Sequence, residues 1–402
     1  MKSHAQQDTL DPALVEANSY QLYTEGKWTE LINLGKSAVK QGMDYFYLRM
    51  RIGIAYYEKK NYNLAEEHFA RALKFNTGDE LALEYLYYCY VFNGRFDEAR
   101  ALSKKFGKDL AEKTKTADKA PISFAMLEGG TKISDSATYY DKNKKTASNF
   151  FNPAVYFQAG LNHYIRNRIS FFHAFTYFNQ VSFTGDVRQI QYYLKSSIPL
   201  KRNWIVYPSL HWVNLSFTTE IPAPPPTRGQ PPPQSQISTT VSNYYVASFN
   251  IQKTFKKFTF IQGNTFSSIY DKTQLLHSGT VAYSVFGNTK LIPGITAFLH
   301  TSDSYSSINT SFIPFIYVQP ISKFSFKLSY LLNKGNNIIE DNGYIINNST
   351  DLTKSRASMI ANLYVHKNVS FYALYQLEFK EEAVQLFNYR YNVILAGVKI
   401  ML

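Results

Sequence analysis

The stretch Phe324-Ser325-Phe326-Lys327-Leu328-Ser329-Tyr330-Leu331-Leu332 sets Phe324, Phe326, Leu328, Tyr330 and Leu332 against Ser325, Lys327, Ser329 and Leu331. Successive side chains of an extended chain point to opposite faces, so this is a strand with one apolar and one mostly polar face. Ala357, Met359, Ala361, Leu363 and Val365 repeat the pattern, and Val369, Phe371, Ala373, Tyr375, Leu377 and Phe379 repeat it again. Strands of globular proteins usually run about 5–6 residues, and these are longer. Strands of about 10 residues, apolar on one face and bearing Lys, Arg or Glu on the other, suit a barrel whose outside meets lipid and whose lumen is wet. A large soluble β-sandwich alternates too, so the connections have to decide.

Working outward from this stretch, strands fall at about 121–129, 150–164, 168–183, 187–200, 204–219, 240–253, 257–270, 272–286, 290–304, 308–319, 323–333, 353–366, 369–380 and 389–402, fourteen in all. Short polar turns follow the even strands: Arg166-Asn167, Lys201-Arg202-Asn203, Thr254 to Lys257, Gly287 to Lys290, Pro320 to Lys323 and Lys367-Asn368. Long connections follow odd ones, at 130–149, the Pro-rich 220–239 and the Asn-rich 334–352. Outer-membrane barrels have short periplasmic turns and long outer loops, so this parity puts both termini in the periplasm. It also predicts that 220–239 and 334–352 are open to protease on intact cells while 12–110 is protected. Along the strands, Val155, Phe157, Ala159 and Leu161 read as lipid-facing, as do Ile190, Tyr192, Leu194, Ile198 and Leu200. Strands three, five and ten alternate poorly. Phe171 and Phe172 are adjacent, and Pro314 calls for a bulge or a shifted boundary because proline removes a ladder donor.

Composition agrees with a barrel. The 402 residues exceed one ordinary domain, and 32 Tyr and 30 Phe supply material for aromatic girdles. No apolar run reaches the roughly 18 residues of a transmembrane helix, although alternating strands escape that criterion. The single cysteine, Cys89, fits neither an internal disulfide nor a metal spacing. A net charge of +13 is scattered rather than blocked, which argues against a nucleic-acid partner and for solvated or lipid-phosphate-facing cations.

Residues 1–11 form a tail. Ser3-His4-Ala5 has the small-x-small form of a signal-peptidase site, and the segment is expected to be a signal-peptide remnant. From 12 to 110 the pattern turns helical and repeats. Trp28, Tyr62 and Phe96 lie 34 apart, as do Leu31, Ala65 and Ala99, and Leu22, Tyr56 and Tyr90. Such a period marks paired helices that stack on one another, and the middle unit, with Gly53, Tyr56, Ala65, Phe69 and Ala72 at the interlocking small and large positions, resembles a tetratricopeptide repeat. The flanking units depart from it, with Ser19 and Tyr87 at the Gly53 position and Thr77 where the family has Pro. The resemblance implies a groove that binds a partner protein rather than chemistry. A charged stretch without apolar periodicity follows Gly107, and 111–120 reads as the linker to a barrel at 121–402.

The expected fold class is therefore all-α tetratricopeptide-like repeats followed by an antiparallel transmembrane barrel of about fourteen strands. The chain's end, Gly397-Val398-Lys399-Ile400-Met401-Leu402, resembles the signal read by barrel-assembly machinery, with Leu402 in place of the common aromatic. By architecture the chain resembles surface lipoprotein assembly modulators and tetratricopeptide exporters of exopolysaccharide. That implies a periplasmic adaptor which recruits a protein for export, surface display or outer-membrane assembly. The alternative is a passive pore or a structural subunit of an envelope complex. Lys195, Lys327, Arg356, Glu378 and Lys399 are candidate lumen charges, and an open channel so lined favours anions. His163, His211, His277 and His300 lie in strands, yet no nucleophile elbow, phosphate loop or metal spacing accompanies them. No enzyme activity and no cofactor are expected. The expected partners are outer-membrane lipid and a periplasmic or outer-membrane protein.

Overall fold

The computed structural model of the chain describes residues 10–117, 120–134, 138–141, 146–149, 151–166, 168–182, 185–221, 223, 234–269, 272–302, 307–333, 338–347, 351–381 and 388–402. The Ser3-His4-Ala5 segment and the prolines at 222, 224–226 and 231–233 lie outside the described residues. The chain divides into two compact units: Met1–Lys119 with the turns Thr254–Phe258 and Tyr283–Leu291, and a second comprising Ala120–Lys253, Thr259–Ala282 and Ile292–Leu402.

In the first unit, helices α1 (Pro12–Thr24), α2 (Trp28–Lys40), α3 (Phe46–Glu58), α4 (Tyr62–Phe75), α5 (Glu80–Phe92) and α6 (Phe96–Leu102) form three pairs. Pairs begin at 12, 46 and 80, so 46 − 12 and 80 − 46 both give 34. Asp11, Asn61 and Asp79 cap α1, α4 and α5 by accepting from Ala13 N, Leu64 N and Ala82 N, satisfying donors that a helix start leaves open. Leu31, Ala65 and Ala99 are buried, with Tyr56, Phe69, Ala72 and Tyr90 beside them. Gly53 is small because Phe69 lies against it: an added Cβ would come within 2.7 Å of that ring, which stacks on Tyr85 at 4.9 Å. Trp28 meets Tyr23 at 6.1 Å and Tyr62 meets both Tyr57 and Phe92, at 5.3 and 4.9 Å. Phe96 breaks the pattern and is 57% exposed. Tyr62 is covered partly by Phe92, at the end of the next pair's first helix; among the described residues no helix in register follows α6 to do the same for Phe96.

A short helix α7 (Lys108–Lys113) stands where the sequence offered only a charged linker. Two tethers hold it: Leu110 is buried, and Lys113 pairs with Glu84 at 2.7 Å. Also in this unit, the turn residue Gly287 accepts from Asn63 N at 3.0 Å and Asn288 donates to the Lys60 carbonyl at 2.9 Å.

The unit contains one strongly shifted histidine. Burial, reinforced by the Arg49 guanidinium 3.3 Å away, pushes His68 from 6.5 down to about 3, and its ring stacks on Tyr56. A folded pKa below the unfolded value means the fold resists protonation, so this contribution is complete above pH 6.5 and is lost progressively as pH falls towards 3. The urea midpoint of the helical far-UV signal of the intact protein should therefore fall between pH 7 and 4. In His68→Gln that slope should flatten.

The second unit is a closed barrel of β1 (Ile122–Ser134), β4 (Ala154–Ile165), β5 (Ile169–Ser182), β6 (Gly185–Pro199), β7 (Trp204–Ile221), β8 (Gln236–Phe255), β9 (Phe258–Ser267), β10 (Gln274–Tyr283), β11 (Leu291–Ser302), β12 (Ser307–Ile321), β13 (Phe324–Leu331), β16 (Leu352–His366), β17 (Val369–Glu381) and β18 (Asn388–Met401). Two small hairpins, β2 (Thr138–Asp141) with β3 (Thr146–Asn149) and β14 (Ile339–Glu340) with β15 (Ile345–Ile346), lie outside its ring of fourteen strands. Neighbours in the ring are consecutive, and the first and last strands close it, from Phe124↔Met401 to Ser134↔Tyr391. Closure leaves no open edge, which is what a sheet needs where water is absent. That pairing also carries β1 on to Ser134, past the expected end at 129.

Alternation has the expected sense. Val155, Phe157, Leu161, Phe371, Tyr375 and Phe379 are exposed on the outside, while Gln158, Asn162, Glu378 and Lys380 are buried. Because the number of strands is even, the start of β1 and the end of β18 share one end of the barrel with the turns at 166–168, 200–203, 322–323 and 367–368. Pro314 does not shift the register: Phe312 opposes Leu332 and Phe315 opposes Ser329, and the irregularity falls between Val318 and Ile321.

Candidate functional site

The lumen holds a segment that the sequence placed outside. Residues 338–347, from the Asn-rich connection expected to be exposed, fold back between the walls as the hairpin of β14 and β15. At its tip Asp341, Asn342 and Gly343 all have positive φ, at 48°, 62° and 83°, which makes the turn tight enough to enter. The Asn342 carbonyl accepts from Tyr193 Oη at 3.0 Å and from Ser209 Oγ, and its side chain accepts from Asn250 Nδ2. His211 Nδ1 donates to the Gly343 carbonyl at 2.8 Å, and its Nε2 lies 3.1 Å from the Gln191 amide. Glycine suits position 343 on two grounds, a φ of 83° and a wall so near that a Cβ would sit 2.8 Å from Ser248 Oγ.

Behind the tip the segment is held by packing and charge. Tyr344 donates to Gln158, and its ring meets Tyr193 at 5.0 Å and Phe172 at 5.8 Å. Ile338 and Ile339 are buried in a cluster with Val213, Val246, Leu276, Phe298, Ile313 and Leu331 of the walls. Glu340 pairs with Arg356 at 2.5 Å. Both groups are mostly withdrawn from water, where losing either partner costs far more than at a surface.

These contacts account for the strands that alternate badly. The poor alternators are β5, β7 and β12, and each sends an apolar residue inward beneath the segment: Phe172, Val213 and Ile313. A wet lumen has no use for them; a packed one does.

Three of the five candidate lumen charges go to separate places, and two come together. Lys195 lies 6.0 Å from the Phe172 and Tyr207 rings, Lys327 lies 4.8 Å from Phe315, and Lys399 lies 3.7 Å from Phe124. Arg356 and Glu378 are buried in one neighbourhood, together with residues that the sequence did not single out. Glu378 has Lys132 at 3.3 Å and Lys380 at 3.8 Å, and Tyr389 donates to Asp351. Glu340 and Asp351 add acids to this neighbourhood: Arg356 pairs with Glu340 of the folded-in segment, and Glu378 lies between the two lysines.

No histidine assembles a catalytic group among the described residues. His211 holds the segment, His300 Nε2 lies 2.9 Å from Gln274 Oε1, His277 Nδ1 lies 2.7 Å from Asn264 Oδ1, and His163 stacks on His173 at 5.1 Å. Among the described residues no group of three His, Cys, Asp or Glu is placed to hold a metal. The arrangement fills part of the barrel interior with a segment of its own chain, held by hydrogen bonds, apolar packing and an ion pair.

No family model and no curated protein matches the chain. Among solved structures it is similar to a Pseudomonas aeruginosa FadL homologue, at 10% identity over 69% of this chain and 89% of that one, TM-score 0.41. It is also similar to a deltaS2 mutant of the TodX monoaromatic hydrocarbon channel, at 8% identity over 71% and 91%, TM-score 0.44. A shorter match, 23% of this chain and 68% of the other, is to a point mutant of MamA at 19% identity and TM-score 0.22.

Proposed function

We propose that this chain is a bacterial outer-membrane barrel with a periplasmic tetratricopeptide-type adaptor, similar in architecture to surface lipoprotein assembly modulators and exopolysaccharide exporters. The adaptor receives a partner protein, and the barrel assists its export, surface display or assembly. The observation that carries this reading is the segment 338–347, fixed by Tyr193, Ser209, His211 and Asn250 at its tip and by Arg356 at its flank. A pore meant to stand open has no need of such fastening, so passage is conditional on something that releases it. The pore alternative thereby becomes a gated one.

The adaptor half of the reading is supported by the 34-residue spacing of helix pairs and by what their first helices expose. Tyr20 on α1, Tyr47 on α3 and Leu81 on α5 are 56%, 62% and 52% exposed, and the last two are equivalent positions, 81 − 47 being 34. Arg51 lies beneath both tyrosines, 5.3 and 5.9 Å from their rings. Exposed aromatics around an arginine are the composition of protein-binding hot spots. The reading needs no catalytic step and no cofactor. Replacing Tyr20, Tyr47 and Leu81 by Ser should leave the helical stack intact, since none of the three is in its core, and should abolish partner delivery in cells. Full delivery by this variant would remove the adaptor assignment.

A further inference from the structure

Cations occur at both ends of the barrel, Lys132, Lys354, Arg356 and Lys380 among them at the long-connection end, but acids are missing from the sequence of the short-turn end. The spans around the short turns, 163–170, 198–206, 317–327 and 363–371, hold Arg166, Arg168, Lys201, Arg202, Lys323, Lys327 and Lys367 and not one Asp or Glu. All of these but Lys327 are exposed, whereas Asp186, Glu220, Glu340, Asp351, Glu378 and Glu381 gather at the opposite end. The densest part of the rim is the run of neighbouring strands β4 to β8, where two consecutive short turns and the end of β8 bring in Arg166, Arg168, Lys201, Arg202 and Lys253. Lys253 donates to the Arg202 carbonyl and lies 5.0 Å from the Trp204 ring, so it is drawn to the same turn. On the outer wall next to these turns are exposed Trp204 and the stacked rings of His163 and Phe171, 5.5 Å apart.

A band of Trp, Phe and His followed by turns that carry cations and no acid is the sequence a wall presents as it leaves hydrocarbon and meets phosphate. We propose that this rim is a binding surface for the phosphate headgroups of anionic phospholipids in the adjoining leaflet, centred on Arg166, Arg168, Lys201, Arg202 and Lys253. Like charges crowded on adjacent turns repel one another, and a lipid phosphate between them removes that cost while its acyl chains lie along the apolar wall. An acidic protein partner would answer the charge but would have no use for the aromatic band. The inference rests on the membrane-barrel reading and deepens it by naming a lipid class and a site.

The test uses the full chain purified in detergent and offered phosphatidylglycerol and phosphatidylcholine of matched acyl chains, with bound lipid counted by native mass spectrometry. The expected result is a preference for phosphatidylglycerol that falls about tenfold in a variant carrying Arg166→Asn, Arg168→Gln, Lys201→Gln and Arg202→Asn. Asn is chosen at 166 and 202 because both have positive φ, 51° and 59°, which Asn tolerates. Heat-modifiable migration of both proteins on gels reports the barrel separately, so its loss would indict the membrane reading rather than this site. Equal binding of the two lipids by the parent protein, an unchanged preference in the variant, or displacement of the lipid by equimolar inorganic phosphate would each overturn the proposal.

Discussion

Replacing residues 338–346 by a short Gly-Ser bridge is expected to turn a silent barrel into a conducting one in planar-bilayer recordings. The segment is kept in place by two buried isoleucines, each worth about 1.5–3 kcal/mol, and by hydrogen bonds worth about 1 kcal/mol apiece, offset by the entropy of ordering the loop. A net hold of only about 3 kcal/mol keeps the open fraction below roughly one in a hundred, since each 1.4 kcal/mol is tenfold. The replacement should therefore raise mean conductance on the order of a hundredfold. Arg356→Ala should give an intermediate effect, because it leaves the Glu340 carboxylate without its partner while the tip contacts persist. If the bridged protein is as silent as the parent, the lumen is closed by something other than this segment.

The second large effect concerns the helical half. Deletion of residues 10–117 should leave a folded, heat-modifiable barrel, because every strand from Ile122 to Met401 and the closing pair of β1 with β18 remain. Partner delivery should fail completely in the same cells. A truncated barrel that supports the full phenotype and retains all partners of the intact chain would contradict the adaptor reading and leave a gated pore or a structural subunit.

Much of this fold was written in local pattern. Alternation in 324–332, 353–366 and 369–380 needs only neighbouring residues, as does the spacing of Trp28 and Tyr62, and both periods reappear as strands and helix pairs. Phe96 misled because its position in the period is right while no helix in register follows among the described residues to cover it. Segment 338–347 misled for a different reason: Asp341-Asn342-Gly343 between Ile338-Ile339 and Ile345-Ile346 is a hairpin signal, but nothing local says where a hairpin goes. Its partners, Gln158, Tyr193, Ser209, His211 and Asn250, lie about 90 to 190 residues earlier in the chain, and only the barrel brings them opposite. The usable clue was Phe172, Val213 and Ile313, apolar residues on strands whose alternation fails, which a water-filled lumen leaves unexplained. Lys132 and Lys380 gave no sign of forming a cluster with Glu378, since Lys132 comes from β1 and meets β17 only across the closing strand β18.

The central claim, that the barrel is closed by its own connection, is tested most directly by labelling intact cells with a bulky, membrane-impermeant maleimide. Ile339→Cys places a thiol at a site that is 4% exposed in the lumen, and Ile237→Cys places one at a 77% exposed site on the barrel wall near its long-connection end. Native Cys89 is buried and supplies no background. The account predicts rapid labelling at 237 and protection at 339, with protection lost when Arg356→Ala is added. Equal labelling of the two positions in the otherwise unaltered protein would place 338–347 outside the barrel and contradict it.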